Sequence, residues 1–197
     1  MLKKIYFFIC KVFLIGILTF LTAININCAE SDKSATSENI DFSRVEAIAA
    51  HLKNKEYALA ISGAKRHLSQ YPEDVLALNI LAEACIATDD LTAARQAVQG
   101  ALAVQPNDLW AHRLSARIYK IEADKESNNE KLDLALREIN KGLAIDANDY
   151  KLLSEAAMIY FQIGDMSKAK EAINKALNIK PDDDFLKSLK EDVLRKK

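Results

Sequence analysis

Glycine and proline, the residues that most often interrupt helices, are scarce in this chain. Among 197 residues there are five glycines and three prolines, while half of the residues are apolar. Such a composition fits one continuous helical domain.

An excess of positive charge is also absent. The chain has 27 Lys and Arg residues against 28 Asp and Glu residues, for a net charge of −1. Without an overall positive charge we expect no binding to nucleic acid.

The three cysteines show no spacing that would indicate a set of disulfide bonds. Cys85 falls on a helical packing face, so we expect it to be a small buried hydrophobic residue.

Catalytic motifs are missing as well. No nucleophile with its base, no metal-ligand cluster and no glycine-rich phosphate loop can be found, and the three histidines, His51, His67 and His112, lack ligands at metal-binding spacing. The sequence therefore predicts a protein that is not an enzyme, with no cofactor, no metal and no small-molecule substrate.

What the chain does contain is a pattern that recurs at a spacing of 34 residues, with one longer gap before Ala135. Ala60, Ala94, Ala135 and Ala169 each open it, and medium-sized, small and leucine residues follow at offsets that place them on one helical face. The four copies are Ala60/Ala64/His67/Leu68, Ala94/Val98/Ala101/Leu102, Ala135/Ile139/Gly142/Leu143 and Ala169/Ile173/Ala176/Leu177. A fixed period of this length indicates an array of helical repeats.

The three prolines lie at equivalent positions of the array. Each ends a second helix, and acidic or amide residues follow it that can cap the next helix; a fourth such pair stands where the proline is replaced by Ala147. The pairs are Glu73-Asp74, Asn107-Asp108, Asn148-Asp149 and Asp182-Asp183.

The first helix of each repeat has its own small residue where two helices must approach closely, namely Ala82, Ala116 and Ala157. On these residues the chain resembles the tetratricopeptide repeat family, although the family's first-helix aromatic and glycine are replaced here. The resemblance implies an all-α solenoid, a right-handed superhelix of helix-turn-helix pairs. We place the repeats at 41–74, 75–108, 109–149 and 150–183. A capping helix at 184–197 would follow, with an inner face of Phe185, Leu186, Leu189, Val193 and Leu194.

The third repeat holds seven extra residues, nearly two helical turns, so both of its helices can lengthen by about one turn. The segment from Ser127 to Glu130 fits a capping box that would start the second helix. We expect a polar knuckle at this edge, which is either a partner contact or a tolerated loop insertion.

Residues 1–28 form a leader, with Lys3, Lys4 and Lys11 before an apolar run from Val12 to Ile24. A run of 13 residues suits a signal-peptide core better than a membrane span. Cys28 and the polar linker at 29–40 resemble the layout of bacterial exported lipoproteins with these repeats, and such proteins help to assemble pili or outer-membrane complexes. Two outcomes are open for this segment. Cys28 is lipidated and anchors the protein in the membrane, or the leader is cleaved near Cys28 without lipidation. Either way we expect an exported protein that is periplasmic or anchored facing the periplasm or cell surface.

The concave groove of such arrays is lined by the first helices, and Arg113, Arg117 and Lys120 would form a basic stripe there beside Trp110. We expect a protein or peptide partner in this groove, and an acidic one at the stripe, unless Glu83 and solvent neutralise it. Met158 and Phe161 would contact apolar side chains of the partner or pack on the closing helix.

The sequence thus predicts a binding scaffold. The alternative is a permanent structural subunit of an envelope or pilus assembly complex that uses its convex face. The predicted groove residues are Asn79, Glu83, Ile86, Trp110, Arg113, Arg117, Lys120, Lys151, Ser154, Met158 and Phe161.

Overall fold

The computed structural model describes residues 44–195, and all the regular structure within them is helical. Helix α1 covers residues 44–53 of the described chain. It is followed by α2 (Tyr57–Leu68), α3 (Val75–Ala87), α4 (Leu91–Val104), α5 (Leu109–Glu126), α6 (Asn129–Ile145), α7 (Tyr150–Ile163), α8 (Met166–Ile179) and α9 (Asp184–Arg195). Within residues 44–195 no helix is long and apolar enough to cross a membrane.

Contacts divide the chain into two units, Met1–Glu46 and Ala47–Lys197. Of the first unit the structure describes only residues 44–46, which are helical. In the second unit each helix from α2 to α9 packs against the next, and first helices also meet, as α3 with α5 and α7 with α9. This stack of helical pairs is the all-α repeat solenoid that the 34-residue pattern predicts.

Small side chains line the contacts between the helices. Ala60, Ala94, Ala135 and Ala169, which open the four copies of the repeated pattern, are completely buried. On the first helices, the side chains of Ala82, Ala116 and Ala157 are at most 1% exposed. An alanine methyl group lets neighbouring backbones approach where a larger side chain would hold them apart, so the repeated alanines set the spacing of the stack.

Ala116 offers a direct test of this register. We expect Ala116→Leu to lower the free energy of unfolding by about 1 to 3 kcal/mol, because the added atoms have no space in the core cluster that Ala116 joins. The matched control is Ala58→Leu on α2, where the side chain is exposed. Thermal unfolding would measure the loss of stability in each variant. Equal melting temperatures for the two variants would show that Ala116 does not lie in a close contact between helices.

Aspartate side chains start the helices as predicted. Asp74, Asp108, Asp149 and Asp183 accept the backbone N–H groups of Ala77, Ala111, Leu152 and Leu186 at distances from 2.7 to 3.0 Å. Each bond satisfies one of the N–H groups that a helix start leaves without an intrahelical acceptor. Asp90 and Asp165 cap α4 and α8 in the same way.

The seven extra residues lengthen the helices of the third pair. Helix α5 has 18 residues and α6 has 17, whereas α3, α4, α7 and α8 have 13 or 14. The predicted capping box is wrong by one residue, because Ser127 ends α5 with a left-handed φ of 51° and Asn128 caps α6 by accepting the N–H of Glu130. Ion pairs stabilise the longer helices. Glu122 pairs with both Arg95 and Lys131, and Lys125 Nζ lies 2.5 Å from Asp89 Oδ1.

The closing helix α9 buries a narrower face than predicted. Leu186, Leu189 and Val193 are buried in the core cluster, but Phe185 and Leu194 are 55% and 44% exposed. Their prediction as inner-face residues was wrong, because the three buried positions already fill the stripe that contacts α8 and α7.

Candidate partner-binding groove

Five of the predicted groove residues line one small cavity between the first helices α3, α5 and α7. Its volume is about 80 Å³, and we call it the cation cavity. The predicted members are Glu83, Trp110, Arg113, Arg117 and Lys151, and the cavity is also lined by Leu114 and Glu155, which were not predicted.

Trp110 is held in place by Glu83. The indole Nε1–H donates to Glu83 Oε2 at 2.9 Å, joining α5 to α3. Among residues 44–195 Glu83 makes no ion pair within 4 Å, so it does not neutralise the basic stripe by direct contact. Its role in the site is to orient the only tryptophan of the chain.

Glu155 is the charged residue of the cation cavity that the sequence did not predict. It lies on α7, half-buried, and burial raises the pKa of its carboxyl to about 7. The positive fields of Arg117 and Arg113 act against this rise, while Asp149 adds to it. Its spacing of four residues from Lys151 is the signal that could have found it, since both then share a helix face.

The three cations of the predicted stripe have different surroundings. The Arg113 Nη1 lies 3.6 Å from Oδ2 of Asp149, the residue that caps α7, so Arg113 also links α5 to α7. Lys120 Nζ is 2.8 Å from Asp124 Oδ2 on its own helix. Arg117 is exposed, and within the described residues it makes no ion pair. Arg117 is therefore the cation of the stripe that remains most available to a partner.

A second, larger cavity of about 340 Å³ adjoins the cation cavity and shares Glu83, Trp110 and Arg117 with it. We call it the apolar cleft. Its other lining residues come from the first helical pair and from the end of α3. They are Ala49, Leu52, Lys53, Lys55, Tyr57 and Ala87.

Several predicted residues lie outside both cavities. Asn79 and Ile86 are 1% and 6% exposed, so their prediction as groove residues was wrong. The Asn79 amide donates to Asp108 Oδ1 at 2.7 Å and thereby supports the cap of α5. The Ser154 hydroxyl donates to the Tyr150 carbonyl on its own helix.

Met158 and Phe161 are half-buried and pack against the core cluster that contains Leu186, Leu189 and Val193 of α9. They are therefore separate from the cation cavity, and we leave them out of the proposed contact surface.

Two of the three histidines are buried and make structural contacts. His112 is buried, with Nδ1 2.8 Å from Glu138 Oε2 and Nε2 3.0 Å from the Pro106 carbonyl oxygen. His67 is also buried and bonds Asp74 at 2.8 Å. In the part of the chain that the structure describes, no group of three His, Cys, Asp or Glu side chains could hold a metal ion. The lipidation candidate Cys28 lies outside the described residues.

These features define a class of protein: a stack of helical pairs whose first helices present a charged groove with one aromatic ring. Residues 150–183 match the family model described as "Tetratricopeptide repeat". A search of the curated proteins gave no match.

Solved structures share the fold over most of the chain. A thermophilic TPR protein of Thermus thermophilus is 18% identical, with a TM-score of 0.69, covering 78% of this chain and 80% of that one. PilF of Pseudomonas aeruginosa is 14% identical, also with a TM-score of 0.69, covering 81% of this chain and 69% of that one. MamA is 14% identical with a TM-score of 0.59, covering 79% of this chain and 87% of that one. At these identities the likeness establishes the fold.

Residues 150–183 match a tetratricopeptide repeat, and the other helical pairs share the fold of solved structures of TPR proteins. Tetratricopeptide repeats in general form scaffolds for protein–protein interaction, and the repeat at residues 150–183 suggests that broad role here.

Proposed function

We propose that this protein is a non-enzymatic adaptor that holds an acidic protein or peptide partner in the groove formed by α3, α5 and α7. One observation carries the proposal: the exposed Arg117 and Lys151 stand without ion pairs among the described residues beside the oriented ring of Trp110. Unpaired cations next to an aromatic surface favour a partner with carboxylates, since charge-assisted hydrogen bonds are about twice as strong as neutral ones.

The proposed location is the extracytoplasmic side of a bacterial membrane. Support comes from the leader pattern at 1–28, the polar linker at 29–40 and the position of Cys28 between them. Mass measurement of the mature N-terminus separates the two open outcomes, because a lipidated Cys28 adds the mass of acyl chains and plain cleavage adds nothing.

Capture of the partner from an envelope extract tests the groove. We expect Arg117→Gln to weaken capture by about tenfold or more, because each charge-assisted bond contributes roughly 1.5 to 3 kcal/mol. Glutamine is preferred to glutamate at this position, since a new carboxylate would repel the half-buried Glu155.

The matched control is Arg137→Gln on α6, an exposed arginine that also makes no ion pair within the described residues and lies outside both cavities. Quantitative mass spectrometry of the captured proteins gives the ratio. If both variants capture equally reduced amounts of the partner, or if neither captures less than the parent, the partner does not bind in the groove.

A permanent structural subunit is the second candidate, and the ends of the second helices favour it. Val104, Ile145 and Ile179 stand at equivalent positions of three repeats, each 42% to 44% exposed, and Ile179 lines a cavity of about 640 Å³ with Leu143 and Leu153. A repeated exposed apolar edge is a surface that a permanent neighbour could cover. Light scattering distinguishes the two functions, because an adaptor stays monomeric after its leader is removed whereas such a subunit self-associates.

A further inference from the structure

Glu155 is a half-buried carboxyl group without a partner. It lines the cation cavity from α7, and within residues 44–195 its side chain makes no hydrogen bond and no ion pair. The other carboxylate that lines this cavity, Glu83, accepts the N–H of Trp110. Most polar groups that are withdrawn from water have a partner, and an unpaired titratable group in a cleft is a candidate for a functional role.

The charged groups that face Glu155 belong to three first helices and to the cap of α7. Those with the strongest electrostatic effect come from α5 and from this cap, and none of them comes from α6, α8 or α9, which also pack against α7. They are Arg117, Arg113, Asp149 and Lys120, and Glu83 of α3 and Lys151 of α7 line the cavity beside them. The ionisation of Glu155 therefore changes the net charge of the cation cavity by one unit.

A partner's carboxylate that binds Arg117 and Lys151 enters the same cavity as Glu155. With a volume of about 80 Å³, this cavity brings the two carboxyl groups close together. When two carboxylates share a small site, their repulsion favours the protonated form of one of them. Glu155 takes the proton, because it is half-buried and unpaired, whereas the partner's carboxylate has two cations as hydrogen-bond donors.

We infer that the groove binds its acidic partner together with a proton, and that Glu155 holds this proton. This inference rests on the proposed function and adds its regulation, because the partner and the proton then bind cooperatively. A fall in pH strengthens the binding of the partner, and a rise in pH weakens it.

The pH range of this effect follows from the state of Glu155 in the free protein, where burial raises the pKa of its carboxyl to about 7. Below pH 7 the free groove already carries the proton, so the affinity for a carboxylate changes little with pH. Above pH 7 the proton has to be taken up from solution on binding, and the affinity falls as the pH rises. Between pH 6 and pH 8 the loss is at most about tenfold, which is the change in the protonated fraction of Glu155.

The probe for this inference is a hexaglutamate peptide with acetylated and amidated ends, titrated into the whole mature protein at pH 6 and pH 8. Its side chains are ionised at both values, so its own charge stays constant. Binding is followed by the emission of Trp110, the only tryptophan of the chain, which lines the cation cavity. Glu155→Gln removes the titrating group. Glu171→Gln is the matched control, because it removes an exposed carboxylate of α8 that lies outside both cavities.

We expect the parent and Glu171→Gln to bind the probe between about threefold and tenfold more tightly at pH 6 than at pH 8. Glu155→Gln should bind it equally at the two pH values, since the glutamine amide takes up no proton. Histidines also titrate in this range, but all three proteins contain the same histidines, which therefore cannot remove the difference in one protein alone.

Isothermal titration calorimetry at pH 8 counts the proton directly. The binding heat is measured in phosphate and in Tris, two buffers that release a proton with different enthalpies. The parent should take up a proton, up to about one for each bound peptide, and Glu155→Gln should take up none.

Equal affinity of the parent at both pH values, or a pH difference that persists in Glu155→Gln, would overturn the inference. If Arg117→Gln still weakens binding of the probe and capture of the envelope partner in that case, the proposed function stands and only the role of Glu155 is wrong. Failure of the parent to bind the probe at pH 6 would also overturn the inference. Capture from the envelope extract with Arg117→Gln then decides on the proposed function by itself.

Discussion

Glu155→Gln is expected to raise the free energy of unfolding at pH 8 by up to about 3 kcal/mol and to change it little at pH 4. The pKa of this carboxyl is about 7 in the folded protein, against 4.5 for an unperturbed glutamate. Each pH unit between these values corresponds to about 1.36 kcal/mol, which sets the upper limit.

The sign follows from the direction of the pKa change. Below pH 4.5 the carboxyl is protonated in both states, so it costs the folded protein nothing. As the pH rises from 4.5 to 7 the unfolded chain ionises Glu155 freely while the folded chain retains its proton, and folding loses stability over this window. Glutamine has a similar shape and never ionises, so the variant should keep its stability across the window.

Urea unfolding at pH 4, 6 and 8 would measure this effect, with Glu171→Gln as the control. Glu171 is an exposed carboxylate of α8 that lies 2.8 Å from Lys175, and removal of such a surface pair changes stability by less than about 1 kcal/mol. A Glu155→Gln protein that is less stable than the parent at every pH would show instead that Glu155 is an ionised counter-ion of Arg113 and Arg117.

Glu155 also connects the stability of the groove to its charge. When the carboxyl is protonated, Arg113 still pairs with Asp149, and Glu83 is the one other carboxylate among the residues that line the cation cavity. When it ionises, the local positive excess falls by one charge. An unfavourably placed carboxylate at a binding surface costs stability in the free protein, and such a cost is typical of functional sites.

The fold could be predicted from the sequence because its determinants are local or periodic. An aspartate before a helix caps it through atoms only three residues away, and so Asp74, Asp108, Asp149 and Asp183 were identified without any tertiary information. The alanines could be placed because a 34-residue period repeats the same contact. Ser127 was misassigned because Ser127 and the neighbouring Asn128 can both cap a helix, and only the backbone conformation decides between them.

The composition of the site was harder to predict because it depends on small rotations of whole helices. Asn79 differs by four positions from Glu83 and was placed on the same face, yet Asn79 is buried under the cap of α5. The apolar cleft depends on how the first helical pair meets α3 and α5, which no local pattern encodes. Trp110, Arg113 and Arg117 follow one another at helical spacing on α5, and for that reason they line the same cavity.

His112 forms the buried polar contact from which the second large effect is expected. Its Nε2 donates to the Pro106 carbonyl, which can only accept, and its Nδ1 lies 2.8 Å from Glu138 on α6. The ring thus ties the start of α5 both to the preceding turn and to the second helix of the same repeat. Trp110, two residues earlier, depends on this start for its position in the groove.

We expect His112→Ala to lower the free energy of unfolding by about 3 kcal/mol. The substitution leaves a cavity, a carbonyl without its donor and a carboxylate that retains only Lys141, at 2.7 Å, as a partner. His51→Ala is the matched control, since His51 lies 2.6 Å from Glu56 but both side chains are more than a third exposed, and we expect a loss below about 1 kcal/mol.

Urea unfolding monitored by circular dichroism gives the global loss for both variants, and the emission of Trp110 reports the groove under the same conditions. If the histidine only fills space, a variant such as His112→Leu should restore most of the stability lost by the alanine variant. If the two hydrogen bonds position α5, leucine should fail to restore it and Trp110 emission should differ from that of the parent before unfolding begins. Equal losses for His112→Ala and His51→Ala would contradict the structure, because the same pair of groups is buried at one position and exposed at the other.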